Sequence, residues 1–487
     1  MRWVITVALA TSLVTAGTAV AEPKMHHHGP PAGSVVDVDS PTVPNPIVTG
    51  PIQDGIRGGA YNRSRFPLTH GYVEQEFFIQ GIATAADGTT AAYKTRILVR
   101  RPSDPEHFNG SVIFDWDNVT IPNDVDVGWL PMHTTIMDRG FVYVAVAAQQ
   151  LSVEDSPLAL KQWDPVRYGS LSHPGDNYSF DIFSQAAEAV LERDGSGDGI
   201  VLGDLVDHVT RRIAIGASQS GGRLLTYIND FAEKAGVFEG FMPEISSPDG
   251  VRRDLVPILW LNSQNEGQAT TVEPDSGLFR FWEMAGSAHA PHDYSQFQNS
   301  GYVYNESNGN LDIYDRDEGV AWGYQYKPGD CQLNVYEPGF EYSAALVTID
   351  DWVRTGHAPP IDPATRFDRT GGALHYDDMS NIVGGVRSPI IDVPIAKYYA
   401  GTPPTNGSPC SQTGSIPLLG GTEMMTAAEL KAKYPTSADY VADFKDQIQA
   451  DLKRGWLLPE GAAELVRRLR EARVYVASAL GEPFPTD

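Results

Sequence analysis

Residues 212–225 read Arg-Ile-Ala-Ile-Gly-Ala-Ser-Gln-Ser-Gly-Gly-Arg-Leu-Leu, a short apolar strand followed by a serine-bearing turn and the start of an amphipathic helix. A serine in this context is typical of a nucleophile elbow, which needs small residues two positions before and after it. Gly216 and Ser220 meet that need. The turn lifts the Ser218 hydroxyl out of the sheet and places it at a helix N-terminus, which favours negative charge. The stretch therefore predicts Ser218 as a nucleophile.

A second frame of the same motif is centred on Ser220, since Ser218 and Gly222 are also small. We favour Ser218 because it stands three residues after Ile215, the last apolar residue of the predicted strand. Ser220 would already lie within the helix.

A serine nucleophile needs a base and an orienting carboxylate, which follow it in the order acid, then histidine, in this plan. The apolar run 256–261 is followed by a loop that carries Glu266, and the run 278–284 leads into a loop that carries His289. We predict Glu266 as the acid and His289 as the base. Asp275 and His292 are the alternatives.

Two backbone N–H groups are expected to bind the oxyanion. The Gln219 N–H follows the nucleophile directly. The second should come from the loop after the apolar run 111–115, and we place it near Asn118. Asp115 and Asp117 lie beside it and are read as turn acids rather than as a glycosidase pair.

The wider pattern alternates β and α segments. Strand-like runs occur at 73–82, 93–99, 111–115, 141–147 and 212–215, with a helical pattern at 179–191. This alternation predicts a mostly parallel central sheet with flanking helices, and together with the serine elbow it predicts an α/β-hydrolase fold. Residues 290–410 are expected to form a loop-rich cap, and residues 420–487 a helical tail.

The N-terminal residues predict export. Arg2 precedes a short apolar run that ends in Ala19-Val20-Ala21, so residues 1–21 are expected to be a cleaved signal peptide. Residues 22–50 are rich in proline and histidine and are expected to be an extended leader, followed by the hydrolase domain at 51–487. The protein would be secreted or periplasmic, where a disulfide between Cys331 and Cys410 is one possibility.

Composition excludes several classes of protein. The 487 residues carry 36 Lys and Arg against 62 Asp and Glu, a net charge of −26, which argues against a nucleic-acid partner. Two cysteines without close spacing exclude a cysteine zinc site. No later apolar run is long enough for a membrane anchor. The chemistry expected here needs no metal and no other cofactor, and the oligomeric state stays open.

Several strings, in order, resemble a family of exported proteins known as the alpha/beta hydrolase domain-containing type. They include Gly-Ala-Ser-Gln-Ser-Gly at 216–221 and Trp-Glu-Met-Ala-Gly-Ser-Ala-His at 282–289. Shorter strings lie at 71–76, 93–97, 108–111, 118–120, 167–171, 173–176, 384–389, 392–394 and 455–458. Members are regarded as carboxylic-ester hydrolases. The family usually has Thr-Glu-Thr-acid at 263–266, where only the last carboxylate survives here, and this departure supports Glu266.

Together these observations predict a secreted serine hydrolase. It would cleave small-molecule or polymer-borne carboxylic esters through an acyl-enzyme intermediate. Two alternatives are a serine peptidase or transacylase with the same triad, and a catalytically silent binding protein on the same fold.

Overall fold

A computed structural model describes most of the chain. The residues it describes are 43–61, 66–120, 122–268, 274–291, 304–305, 310–311, 331–401 and 418–483. Within them, the main sheet has the strand order β1-β2-β3-β5-β4-β6-β7-β8-β9. Its strands are β1 Ile47–Thr49, β2 Tyr72–Thr84, β3 Thr90–Pro102, β4 Ser111–Trp116, β5 Val142–Val146, β6 Arg211–Ala217, β7 Gly240–Glu244, β8 Ile258–Ser263 and β9 Phe279–Met284.

Helices and short strands make up the rest of the described secondary structure. The helices are α1 Trp129–Asp138, α2 Leu160–Trp163, α3 Pro165–Tyr168, α4 Ser179–Ala189, α5 Gln219–Asp230, α6 Ala232–Ala235, α7 Gly339–Thr355, α8 Pro389–Asp392, α9 Ala427–Lys433, α10 Ser437–Arg454 and α11 Pro459–Leu480. The short strands are β10 Tyr304–Asn305, β11 Asn310–Leu311, β12 Cys331–Gln332, β13 Arg369–Thr370, β14 Ala373–Leu374, β15 Ala396–Tyr399 and β16 Gly421–Met424.

The sheet has an antiparallel part and a parallel part. β2 and β3 form a long hairpin whose register runs from Tyr72 opposite Pro102 to Thr84 opposite Thr90. β3 is antiparallel to β5, and from β5 through β4 to β9 every pairing is parallel. The carboxyl ends of β4, β6, β8 and β9 therefore meet at one edge, where ligands bind in open α/β sheets.

The parallel strands are buried because helices cover both faces of the sheet. β4, β8 and β9 have no exposed residue. On one face, α4 and α5 pack with residues such as Trp116 and Tyr227. On the other, α1 and α7 pack with residues such as Trp129 and Trp352. Strands buried on both faces are what the apolar runs predicted, and the α/β-hydrolase architecture is confirmed.

Some elements differ from the predictions. β7 was not predicted, because Pro243 and Glu244 interrupt a run of only five residues. The region 290–410, predicted to be loop-rich, contains the helix α7, which packs on β7 and β8. Leu346, Ile349 and Trp352 are buried at helical spacing and could have identified it. Three helices, α9 to α11, lie within 420–487.

The predicted leader 22–50 is partly incorporated in the sheet. Ile47–Thr49 forms β1, which pairs antiparallel with β2 from Ile47 opposite Gln80. This differs from the extended arm that was expected there. The expectation rested on the lack of a periodic pattern, which a three-residue edge strand does not need. The predicted signal peptide, residues 1–21, lies outside the described residues.

Two further expectations concern the cysteines and the membrane. Cys331 is disulfide-bonded, and the other cysteine of the chain, Cys410, lies outside the described residues. None of the helices in the described ranges is both long and apolar enough to cross a bilayer.

Candidate active site

Ser218 lies in a strained turn between β6 and α5. Its φ of +59° and ψ of −116° fall in a region that costs a non-glycine residue about 1–3 kcal/mol. Hydrogen bonds hold the turn: the Ser218 N–H donates to the Glu244 carbonyl at 2.9 Å, and the Gly222 N–H donates to the Ser218 carbonyl at 3.0 Å. A Cβ at Gly216 would lie only 3.1 Å from the Ser220 carbonyl oxygen. The local sequence thus produces the elbow geometry.

Ser220 is fully buried inside α5. Its hydroxyl donates to the Ala217 carbonyl at 2.9 Å and accepts from the Ala217 N–H at 3.0 Å. Its hydroxyl therefore fastens the first turn of the helix to the strand, and the alternative frame centred on Ser220 does not present a nucleophile.

The structure brings Ser218, His289 and Glu266 into one chain of hydrogen bonds. His289 Nε2 lies 2.9 Å from Ser218 Oγ, and His289 Nδ1 lies 2.5 Å from Glu266 Oε1. The carboxylate can only accept from Nδ1–H in the neutral ring, so Nε2 is left to accept from the serine hydroxyl. The side chains of His289 and Glu266 are 17% and 12% exposed, which shields these bonds from water.

Glu266 is itself fixed by the end of β8. Its Oε2 accepts from the Ser263 N–H at 3.1 Å and from the Ser263 hydroxyl at 2.5 Å. One carboxylate oxygen thus faces the strand end and the other faces the imidazole.

The loop that carries His289 is supported from two sides. The Ala285 N–H donates to the Val386 carbonyl at 2.9 Å, and the Val386 N–H donates to the Glu283 carbonyl at 2.7 Å. Gln264 Oε1 accepts from the Gly286 N–H at 2.9 Å. Gln264 stands where the family string usually has Glu, and here its side chain binds this loop rather than the imidazole.

The alternatives for the acid and the base are placed differently. Asp275 pairs with Arg366 at 2.6 Å and accepts from the Phe281 N–H at 3.1 Å. It supports the start of β9 and does not orient His289. His292 lies outside the described residues.

The predicted oxyanion donors need one correction. Gln219 begins α5, so its N–H has no partner within the helix. The Asn118 N–H, in contrast, donates to the Val125 carbonyl at 2.8 Å and is occupied. The next amide, Val119 N, faces the elbow, 3.5 Å from Gln219 Oε1. Asn118 instead donates through its side chain to the Ala217 carbonyl at 2.8 Å, and so ties the two segments together.

Buried ion pairs anchor residues 117–128, here called the β4–α1 loop. Arg96 on β3 donates to Asp124 Oδ2 through Nε at 2.9 Å and Nη2 at 2.7 Å. Arg100 Nη2 lies 2.7 Å from Asp126 Oδ2, and all four side chains are at most 4% exposed. A buried charge is tolerated when it is paired, so these pairs fix the path of the loop.

Burial raises the pKa of three carboxyl groups beneath the site. Burial raises the pKa of Asp115 to about 7, despite hydrogen bonds from the Tyr143 hydroxyl and the Gly128 N–H. Burial and nearby Asp124 raise the pKa of Asp117 well above its usual value, and burial and Asp115 do the same for Glu244. Among the described residues, neither oxygen of Asp117 or Glu244 has a hydrogen-bond partner. Sequence reasoning took Asp115 and Asp117 for turn acids.

No set of three His, Cys, Asp or Glu side chains within the described part of the chain is arranged to hold a metal ion.

Comparisons with solved structures find distant likenesses. Oligopeptidase B from Trypanosoma brucei is 15% identical, over 49% of this chain and 38% of that one, with a TM-score of 0.28. Brefeldin A esterase, a bacterial homologue of human hormone-sensitive lipase, is 12% identical, over 40% of this chain and 61% of that one, with a TM-score of 0.25. Esterase Est22 is 12% identical, over 40% and 64%, with a TM-score of 0.26.

The matched part of this chain thus spans between 38% and 64% of those three proteins. No curated protein matches the sequence. A family of alpha/beta hydrolase domains, Abhydrolase_10, matches residues 48–467. That range covers most of the 487 residues and includes every element of the site described above. The chain therefore belongs to the alpha/beta hydrolase domain family Abhydrolase_10.

Proposed function

We propose that this protein is a serine hydrolase that cleaves carboxylic esters. The observation that carries the proposal is the hydrogen-bonded chain from Ser218 Oγ through His289 to Glu266, with the serine in an elbow at a helix N-terminus. The fold and the family support hydrolysis as the class of reaction. The resemblance to exported ester hydrolases supports esters, small or borne on a polymer, as substrates.

Ser218 Oγ attacks the ester carbonyl carbon while its proton passes to His289 Nε2. The carbonyl oxygen becomes an oxyanion, which accepts hydrogen bonds from the Gln219 and Val119 amides. When the intermediate collapses, His289 gives the proton to the leaving alcohol oxygen, and an acyl-serine remains. Water then attacks the acyl carbon, His289 takes its proton, and the same proton returns to Ser218 Oγ as the acid leaves. Glu266 orients the imidazole and stabilises its cationic form throughout.

The test is hydrolysis of p-nitrophenyl esters from acetate to long acyl chains, with an amide series run alongside. We expect ester turnover by the unmodified protein and a loss on the order of 10⁴-fold or more in Ser218→Ala, because triad nucleophiles contribute that much. Ser220→Ala, its matched control, should retain turnover within about tenfold, since its hydroxyl only fastens the helix.

Each result discriminates among the alternatives. Faster turnover of amides than of esters would favour a peptidase, and acyl transfer to added alcohols would favour a transacylase. A protein inert both to every ester and to a fluorophosphonate probe would be a binding protein on this fold. Equal activity of Ser218→Ala and the unmodified chain would contradict the assignment of the nucleophile.

We also propose that the protein acts after export, in the secreted or periplasmic space, from the sequence of residues 1–21. N-terminal sequencing of protein recovered outside the cytoplasm should begin near Glu22. Recovery of full-length chain in the cytoplasm alone would contradict it.

A further inference from the structure

Beside the nucleophile, three hydrogen bonds join four side chains into a chain that closes only through the backbone of α5. Gln219 Nε2 donates to Gln149 Oε1 at 2.9 Å, Gln149 Nε2 donates to Asp176 Oδ2 at 3.2 Å, and Arg223 Nη2 donates to the same Asp176 oxygen at 2.6 Å. Gln219 and Arg223 lie four residues apart on α5, one helical turn, so the ring starts and ends on the helix that follows Ser218. We call these four residues the polar ring.

The ring is fastened to the protein core on its far side. Gln149 is buried, and its Oε1 also accepts from the Trp116 indole N–H at 3.2 Å. Asp176 Oδ1 accepts from the Gln150 N–H at 2.9 Å. Arg223 and Asp176 are 30% and 33% exposed, so the ring reaches from the buried end of β4 to the solvent-facing rim of the site.

On its near side, the ring meets the proposed oxyanion donors. The Gln219 backbone supplies the first donor, and its side-chain Oε1 lies 3.5 Å from the second, Val119 N. This separation is at the long limit of a hydrogen bond, so the Val119 N–H can share its donation between Gln219 Oε1 and an oxyanion. Gln219 thus supplies one donor and contacts the other, and Gln149 holds its side-chain amide in place.

We propose that the side chain of Gln219 is a positioning residue that fixes the distance between the two oxyanion donors. The inference rests on the proposed function. Its amide bridges Val119, which follows β4, and Gln149, which follows β5. An oxyanion hole needs donors at defined distances from the negative charge that develops on the carbonyl oxygen in the transition state. The bridging amide of Gln219 should therefore lower the barrier without itself binding the substrate.

The chemistry of the bridge requires an amide. Glutamate would keep an acceptor for the Val119 N–H, lose the donation to Gln149 and bring negative charge beside the developing oxyanion. Methionine has a similar length and shape but neither donates nor accepts strongly. Gln219→Met therefore removes the bridge and keeps the volume, which makes it the informative substitution.

The experiment compares the unmodified protein, Gln219→Met and Gln447→Met. Gln447 lies on α10 and controls for loss of a glutamine far from the site. Measured quantities are kcat and KM on the best p-nitrophenyl ester, inhibition by a trifluoromethyl ketone with the same acyl chain, and the midpoint of thermal unfolding. The ketone forms a tetrahedral adduct with the serine, so its affinity reports on the oxyanion donors.

For Gln219→Met we expect kcat to fall about 10- to 100-fold, less than the 10²- to 10³-fold loss on deleting a donor outright. Affinity for the ketone should fall by a similar factor, while KM changes by less than about threefold and the unfolding midpoint by about 2 °C or less. Gln447→Met should keep the kcat of the unmodified protein. This pattern is not produced by a residue with a structural role alone.

Three results would overturn the inference. An unchanged kcat in Gln219→Met would show that the donors need no bridge, and a rise would show that Oε1 competes with the substrate oxygen. A loss of kcat matched by a large drop in the unfolding midpoint would show a structural role. An unmodified protein inert to both ester and ketone would instead remove the proposed function, and this inference with it.

Discussion

The nucleophile elbow and the β4–α1 loop are two sides of one site, and they are specified in opposite ways. The sequence requirement of the elbow is local: the small residues that it needs, Gly216, Ser220 and Gly221, lie within three residues of Ser218, although the Glu244 carbonyl also holds the turn. The β4–α1 loop is fixed from a distance, because Asp124 is held by Arg96, 28 residues earlier, on β3. The position of a residue that depends on its sequence neighbours can be predicted from a motif. The position of a residue that depends on a distant buried ion pair can be predicted only when the fold is known.

The largest effect is expected for a substitution of Glu266, which tests whether the elbow serine functions without the carboxylate that orients His289. Glu266→Gln leaves an amide that cannot stabilise the imidazolium and favours the wrong histidine tautomer, so we expect kcat to fall about 10³- to 10⁴-fold. Steady-state hydrolysis of a p-nitrophenyl ester measures it. Asp275→Asn is the matched control, and activity per folded molecule should be retained there. A similar loss in Asp275→Asn would restore Asp275 as the acid.

The second prediction breaks the distant anchor of the β4–α1 loop. Asp124→Asn removes the stronger of two countercharges of the buried Arg96 guanidinium, which keeps Glu76 at 3.0 Å, so we expect a loss of up to about 3–5 kcal/mol in the free energy of unfolding. Denaturant unfolding measures it. The exposed pair of Arg193 and Asp207 provides a control, and Asp207→Asn should cost less than about 1 kcal/mol. Equal losses in both variants would show that the buried pair is no special anchor.

A smaller effect is expected within the elbow itself. A Cβ at Gly221 would lie 2.7 Å from the Glu244 carbonyl oxygen and 2.5 Å from Ser246 Oγ, so Gly221→Ala should destabilise the protein by about 1–3 kcal/mol and lower kcat. At Gly222 a Cβ meets nothing within 4 Å. Gly222→Ala should therefore stabilise α5 by up to about 1 kcal/mol. Thermal unfolding of the two variants measures this difference in stability. A Gly221→Ala variant as stable as the unmodified protein would contradict the close packing inferred for the elbow.

The smallest effect, counted per pH unit, concerns Glu244, whose carbonyl holds Ser218 while its buried carboxyl has a strongly raised pKa. A raised pKa in the folded state contributes stability that is complete below the unfolded pKa, about 4.5, and is lost as pH rises toward the folded value. Glu244→Gln removes this titration, so stability should fall less steeply with pH, by up to about 1.4 kcal/mol per pH unit. Urea unfolding from pH 5 to 9 measures the slope, and identical slopes would refute the prediction.

The same contrast explains how far the sequence could predict the molecule. The elbow motif and the order of acid and histidine indicated Ser218, Glu266 and His289, which the structure brings together; their catalytic roles remain proposals. The sequence could not show that the Asn118 N–H pairs with Val125, because that bond depends on the path of a loop set by β3. Val119, now proposed as the donor, was not singled out for the same reason.

The fold shows a similar division. Long apolar runs predicted the central strands, since burial on both faces leaves a continuous signal. β1 was not predicted because a run of three residues contains too few positions for a period, and β7 was not predicted because Pro243 and Glu244 interrupt its run of five. Gln149 gave no signal at all, since a buried glutamine becomes recognisable only when its partners are known.

The support of the His289 loop by Val386 links the chemistry to the order of synthesis. During synthesis, Ser218 leaves the ribosome long before Val386, which supports the loop of His289 and lies about 170 residues after Ser218. A nascent or truncated chain that ends before Val386 therefore carries the nucleophile without a firmly placed histidine. On the proposed mechanism, the triad is therefore fully supported only when the chain has been made past Val386.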